Sequence, residues 1–388
     1  MTKASVIIAN WNGRRLLGEC LEALKRQTFR DFEVIVVDNG STDGSVDFLR
    51  ENYSDFVIVL PQEKNLGFGA ANNIGIRKAE GKYIALLNND AVPDERWLEE
   101  LVNAAESDGK RRATGNGQQA TGGMGRVKLK LEGLEGRAYG GGAPGWEITT
   151  RVRKSEYRPV GMFASKILNY DNRDIIDNVG HLLYPDGLNR GHGRLEKDDG
   201  RYDQPAEALF PSGCAALYRK EMFDRIGLFD EDFFAYGDDT DIGLRARMAG
   251  WGCWYVPTAV VYHKYSATAG EYSALKAFLV ERNRVFVALK YFPALMLFLS
   301  PWFTLKRLIL QAYGAIAGKG AAGEFTKHGS LASLLWVLVK AYFSALWHMP
   351  KMLGRRFALK KTAKLSPHEI RQLYRRFAIT AREIALKK

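Results

Sequence analysis

Four short apolar runs, each separated from the next by a stretch of helical spacing, occupy the first ninety or so residues and leave few folds open. Ser5–Ala9 (SVIIA), Glu33–Val37 (EVIVV), Phe56–Leu60 (FVIVL) and Tyr83–Leu87 (YIALL) have strand length and lack the alternation of a strand with one wet face. Between them, Leu16–Gln27, Ser45–Asn52 and Ala70–Ala79 read as helices, the first through Leu17, Leu21 and Leu24. Strands apolar on both faces and alternating with helices predict a parallel sheet covered on both sides. The expected fold class is α/β, Rossmann-like and doubly wound.

The pattern then breaks. Gly109 to Gly145 holds 12 glycines in 37 residues, with basic clusters at Lys110–Arg112 and Arg126–Lys130. Such a stretch cannot bury enough apolar surface to order itself, so residues 109–158 are expected to be a flexible, Gly-rich, basic insertion. The α/β pattern resumes near Val160 and runs to about residue 270, giving a first domain of 1–270.

From Glu271 to Lys388 the chain carries 21 Lys and Arg against 5 Asp and Glu, whereas the rest is nearly neutral. This asymmetry points to an anionic partner, a membrane surface or nucleic acid. Two apolar runs favour the membrane: Val285–Leu305, with prolines at 293 and 301, and Leu331–Met349, broken by Lys340 and His348. The first has the length to cross about 30 Å of hydrocarbon as a helix. A single crossing would strand the basic tail on the far side from the body, against the positive-inside bias. A two-helix hairpin avoids this, and helices lying in the interface plane suit embedded lysines best. Residues 271–388 are therefore expected to be a helical membrane-associating region. A soluble helical cap or dimer interface, and with it a homo-oligomer, is the remaining reading. The start, MTKASVIIANW, has too short an apolar run for a secretory signal, so a cytosolic setting is expected. Three scattered cysteines exclude a disulfide scaffold.

Carboxylates at strand ends carry the chemistry. In a doubly wound sheet, ligands bind beyond the carboxyl ends of the strands. Asp38 ends the second strand and Asp90 follows the fourth, in Leu87-Asn88-Asn89-Asp90, so both face one crevice. Asp43 reads instead as a turn former beside a helix start. A second cluster, Asp238-Asp239-Thr240-Asp241, packs three carboxylates into four residues; their repulsion suits a raised pKa or a general base, although a helix start could also use them. His263 becomes a metal ligand only in the company of Asp90. The other histidines and the cysteines suggest no further site. No GxSxG is present and no GxGxxG follows the first strand, and Gly314–Gly320 falls one residue short of a phosphate loop.

Taken together, SVIIANWNG, VIVVDNGSTDGS, NLGFGAANNIG, YIALLNNDAVP, GLFDEDFFAYGDDTDIGLRARMAGW and VVYHKYS resemble family-2 glycosyltransferases, and in particular the bacterial rhamnosyltransferase-like branch. The resemblance covers Ser5–Ala105 and about Val160–Phe292. It implies a GT-A fold and inverting transfer of a sugar from a nucleotide-diphosphate donor, with dTDP-rhamnose among the donors it allows. It implies that Ala9, Asn10, Trp11 and Asp38 hold the nucleoside and that Asn88, Asn89 and Asp90 face the diphosphate. Asn88 stands where the family's DxD motif has its first Asp, which thins the metal shell. A divalent cation, Mg²⁺ or Mn²⁺, would rest on Asp90 and His263. Asp239 would be the catalytic base, while Asp238, in place of the usual Glu, Gly213 and Cys214 would border the acceptor. The implied acceptor is a polysaccharide or lipid-linked saccharide, and the implied place is the cytoplasmic face of the inner membrane. A degenerate nucleotide-binding subunit is the first rival; a nucleic-acid-binding protein is the second and weaker, so no nucleic acid is expected.

Overall fold

The structure is a computed structural model that describes residues 2–113, 158–264, 273–318, 320, 323 and 331–387. Its first half follows the apolar runs. Strands β1 (Ala4–Asn10), β2 (Phe32–Asp38), β3 (Val57–Pro61) and β4 (Tyr83–Leu87) alternate with α1 (Arg14–Lys25), α2 (Ser45–Tyr53) and α3 (Phe68–Lys78). They pair in parallel in the order β4-β1-β2-β3, with Asn10 level with Asp38. Val6 and Ile8 pack on one face with Leu17 and Leu21 of α1, and Ile7 packs on the other with Ala71 and Ile76 of α3. Both faces of the inner strands β1, β2 and β4 are largely dry, which is why they are mostly apolar, whereas β3 leaves Ile58 37% exposed.

The second half enlarges the sheet with antiparallel partners. After β5 (Ala91–Pro93) and α4 (Trp97–Ala113), the chain forms β6 (Val160–Asn169), β7 (Ile176–Asn178), a separate hairpin β8 (His181–Leu183) and β9 (Asn189–Gly191), then β10 (Ala206–Glu207), β11 (Ala215–Arg219), α5 (Lys220–Ile226), α6 (Asp238–Met248) and β12 (Gly252–His263). The full ten-stranded sheet runs β10-β12-β6-β11-β4-β1-β2-β3, with β5 on β12 and β7 on β6. β11 is antiparallel to β4 and β6, so β11 begins where β4 ends and brings Cys214 to the end of β4. Most of the expected Gly-rich insertion, residues 114–157, lies outside the described residues.

Helices α7 (Ala274–Tyr291), α8 (Ala294–Ile316), α9 (Leu331–Thr362), α10 (Pro367–Arg376) and α11 (Ala381–Leu386) follow. The expected continuous helix over Val285–Leu305 does not form. Pro293 separates α7 from α8, and Phe286, Val287 and Phe292 are buried in the core of the body. The hydropathy of that half-run comes from core packing, which composition does not distinguish from lipid exposure.

α8 is turned inside out. Its inner face buries Thr304 and Arg307, while Phe298 (81% exposed), Trp302 (66%) and Ile316 (82%) point outward. α9 presents a similar apolar stripe through Leu335, Phe343 and Trp347. Arg307 is held by Asp186 (Nε to Oδ2, 2.7 Å) and by Glu281 (2.7 and 3.0 Å), all within the protein. Part of the basic excess is likewise spent internally: Lys351 and Arg355 pair with Asp232 (both 2.7 Å), and Arg376 pairs with Glu207.

Candidate active site

Asn10, at the end of β1, is fully buried and acts as the hub of the crevice. Its amide nitrogen donates to Asp38 Oδ2 (2.9 Å), and its oxygen accepts from Asn89 Nδ2 (2.7 Å). Asp38 Oδ1 accepts from the Ser41 N–H (3.0 Å), which closes the turn after β2. A Cβ at Gly13 would sit 2.1 Å from Asn89 Nδ2 and 2.4 Å from Asn10 Oδ1, so only glycine fits beside this hub. Ala9 precedes Asn10 on β1, and the Trp11 ring beyond it is 40% exposed. Asp43 is structural, as expected: it accepts from the N–H groups of Arg14 (2.9 Å) and Ser45 (3.1 Å).

The turn after β4 joins this hub to the second half of the sheet. The Asn88 N–H donates to Cys214 O (2.8 Å), and Lys264 N–H donates to Asp90 O (2.9 Å). Asp90 Oδ1 is buried without a hydrogen-bond partner and lies 3.3 Å from His263 Nε2. The other ring nitrogen, Nδ1, is 2.7 Å from Asp177 Oδ2, and Asp177 also binds Arg194 (2.5 Å). Burial works against charge on the His263 imidazole. The Cys214 sulfur and the Asp177 and Asp90 carboxylates outweigh it, and its pKa stands above the usual imidazole range.

Asp238 and Asp239 open α6, where unpaired N–H groups favour negative charge. The approach to them is strained: Phe234 (φ 65°) and Tyr236 (φ 63°) occupy left-handed backbone without being glycine. α7 holds that segment. Arg282 donates to the carbonyls of Asp232 (3.0 Å) and Phe233 (2.9 Å), and Asn283 Nδ2 lies 2.9, 2.8 and 2.6 Å from those of Phe233, Ala235 and Tyr236.

The two carboxylates differ in environment. Asp239 Oδ2 lies 3.4 Å from both the Gly213 N–H and His181 Nε2, and Oδ1 accepts from the Thr240 N–H (2.7 Å). Burial pushes Asp239 up, but His181 and the two N–H groups prevail and hold it below the ordinary carboxylate range. Asp238 is 4% exposed, its Oδ2 has no partner, and burial followed by repulsion from Asp239 pushes it up to about 8. Asp241, the third of the cluster, is purely structural, bound by Lys290, Tyr291 (2.6 Å) and Arg245 (2.6 Å).

Asp238 therefore stays protonated in the folded protein at pH 7, whereas it ionises near pH 4 when unfolded. Between those values the native state binds the extra proton, so this group makes stability fall as pH rises from about 4 to about 8. Asp238→Asn is expected to stabilise the protein at pH 8 by on the order of 1–3 kcal/mol, a gain that vanishes toward pH 4. Urea unfolding at the two pH values checks this; a gain that is equal at both would contradict it.

The structure thus gathers Asn10, Asp38, Asn88, Asn89, Asp90, Cys214, Gly213, Asp239 and His263 along one edge of the sheet. It adds residues the sequence did not disclose. Asp177 orients His263, and His181, expected to play no part, stacks on Phe210 (ring centroids 5.0 Å) and reaches Asp239. Both come from three-residue strands that are too short to show a period.

Comparison with known proteins follows this geometry. The model of the family described as glycosyl transferase family 2 matches residues 5–227, more than half of the chain. The chain belongs to glycosyl transferase family 2. A second model, glycosyl transferase family group 2, matches residues 194–358. Among curated relatives of this glycosyl transferase family 2 chain, the N-acetylglucosaminyl-diphospho-decaprenol L-rhamnosyltransferase of Mycobacterium tuberculosis is 28% identical over 255 residues, covering 64% of this chain and 72% of its own. Glycosyltransferase AglE of Haloferax volcanii is 35% identical over 116 residues, 29% of this chain and 38% of its own. YfnE of Bacillus subtilis, an uncharacterized glycosyltransferase, is 28% identical over 64% of this chain and 61% of its own. The chain thus spans 38% and 61% of the lengths of the latter two. Among solved structures, GalNAc-T7 with UDP, GalNAc and Mn²⁺ superposes with a TM-score of 0.53 at 16% identity, covering 90% of this chain and 58% of that one. The shared fold is GT-A.

Proposed function

We propose that this chain transfers a sugar from a nucleotide-diphosphate donor to an acceptor hydroxyl with inversion, and that Asp239 is the base. The observation that carries the reading is the contrast within one crevice: an ionised, partly accessible Asp239 at a helix start, next to a buried and protonated Asp238. In the reaction, Asp239 takes the proton of the acceptor hydroxyl as its oxygen attacks the anomeric carbon. The bond from that carbon to the diphosphate oxygen breaks, and the electron pair leaves with the nucleoside diphosphate. One base and one displacement invert the centre. Asn10 and Asp38 would hold the nucleoside at the end of β1 and β2, with the exposed Trp11 ring beside it.

A divalent cation fits Asp90 and His263. Asp90 Oδ1 is buried and unpartnered, and Asp177 leaves His263 Nε2 directed at it, the arrangement by which a second carboxylate orients a metal-binding histidine. When bound, the cation would neutralise charge on the leaving diphosphate. Among the described residues no three His, Cys, Asp or Glu form a complete cluster, so the donor's own phosphates would fill the shell. Calorimetric titration of dTDP, UDP and GDP tests this reading. One nucleotide should bind at least tenfold more tightly with Mn²⁺ or Mg²⁺, and Asp90→Ala should abolish that difference. Equal affinity with and without cation would remove the metal, and no binding at all would favour the degenerate subunit. L-rhamnose is the sugar that the mycobacterial relative's name favours, and the family resemblance suggests dTDP as its carrier.

The proposed location is a cytoplasmic membrane face, with α8 and α9 in the interface plane. Their outward apolar stripes support it, since water is a poor partner for a helix whose polar side is buried. One helix, Ala332–Thr362, is also long and apolar enough to cross a membrane by length and composition. Co-flotation with phosphatidylglycerol vesicles checks this: Phe298→Glu with Trp302→Glu should reduce bound protein at least tenfold. Unchanged flotation would leave the stripes without a lipid role.

A further inference from the structure

Asn283 of α7 is 1% exposed and spends its amide on one short segment. Its Oδ1 accepts from Arg282 Nε (2.9 Å), which turns its nitrogen toward the carbonyls of Phe233, Ala235 and Tyr236. Two amide hydrogens thus serve three oxygens that converge on one point. Converging carbonyl dipoles repel one another, and Phe234 and Tyr236 are strained at positive φ, so the segment does not hold this shape unaided. Directly after it come Gly237 (φ 86°), which caps α6, and then Asp238 and Asp239. The opposite side of the segment faces the donor crevice. Phe234 O accepts from the Phe68 N–H (2.6 Å), and a Cβ at Gly67 would sit 2.3 Å from that oxygen. Gly67 O is in turn held by Asn39 Nδ2 (3.2 Å), beside Asp38. The approach to the base is therefore clamped between the turn that follows β2 and the first helix of the C-terminal region.

We infer that Asn283 is a positioning residue for sugar transfer: it holds residues 233–237 in the strained form that fixes where α6 begins and so where Asp239 points. The inference rests on Asp239 as the base and goes beyond it by making α7 part of the catalytic unit. Asp239 is exposed to any slackening of the segment. Its Oδ2 lies 3.4 Å from both the Gly213 N–H and His181 Nε2, contacts long enough for a small rotation of α6 to break. Proton transfer depends steeply on such geometry, and a misplacement of about 1 Å costs on the order of 10²-fold in rate. The donor crevice does not share this dependence. Asn10, Asp38 and Asn89 are bonded to one another, and the turn at Asn39 is closed separately by Asn65 Oδ1 and the Leu66 N–H (both 2.9 Å). Loss of the Asn283 amide therefore acts on the chemical step and spares the nucleotide.

Two variants of the full chain test the assignment, each assayed for radiolabelled sugar transfer to a lipid extract with nucleoside diphosphate titration alongside. Asn283→Ala removes the donors. Asn283→Asp keeps the shape but sets a second oxygen against the three carbonyls, with Arg282 beside it to answer the charge. Each should lower kcat at least tenfold while donor KM and nucleoside diphosphate affinity stay within twofold of the parent. The split matters, because a merely structural residue would damage binding and turnover together. The Asp variant separates hydrogen bonding from packing, since it fills the same volume. The inference is overturned if either variant keeps kcat within tenfold of the parent, or if nucleotide affinity falls in step with kcat. Absence of transfer by the parent chain would instead overturn the underlying reading of Asp239 as a base.

Discussion

Asp239→Asn is expected to lower sugar transfer by at least about 10³-fold while leaving nucleoside diphosphate affinity within twofold of the parent. The amide preserves shape and its one oxygen still accepts from the Thr240 N–H, at the loss of the long contact from the Gly213 N–H, but it cannot take a proton. Donor binding is spared because the hub of Asn10, Asp38 and Asn89 is a separate hydrogen-bonded unit. The pH profile adds a second check. Asp239 is held below the usual carboxylate range, so the acid limb of kcat/KM should fall below about pH 4. Radiolabel transfer to a lipid extract, with nucleotide titration alongside, reads both effects. Activity retained within tenfold would take the proton elsewhere.

Arg307→Ala should be the most damaging change to stability. Arg307 is fully buried and neutralises Asp186 and Glu281, themselves 0% and 9% exposed, with help from Arg284 on Glu281 (2.7 Å). Removing one partner leaves buried charge uncompensated, which costs about 3–5 kcal/mol. Arg307→Lys should recover part of this, since an ammonium restores charge but not the two-pronged contact. Urea unfolding measures it, and a loss below 1 kcal/mol would mean that α8 is not anchored to the body through this cluster.

The parallel half of the fold was legible because its inner strands β1, β2 and β4 are largely dry on both faces and therefore mostly apolar. From that, Asp38 and Asp90 had to lie at one edge of the sheet, and they do. The second half was harder to read. β7 and β8 are three residues long, so neither Asp177 nor His181 sits in a pattern that marks it, and their importance arises only from where the chain folds back. The apolar run across Pro293 misled for a different reason: Phe286 and Phe292 face the core, whereas Phe298 and Trp302 face outward, and hydropathy is the same for both. The basic tail held a similar ambiguity, because Lys351, Arg355 and Arg376 answer acidic residues of the body rather than an outside partner.

The configuration of the product at its anomeric carbon, read by NMR after transfer by the parent enzyme, tests the central claim most directly. A single displacement with Asp239 as the only base predicts the configuration opposite to that in the donor. A retained configuration would require a second displacement and a nucleophile in the crevice, and would contradict this account of Asp239.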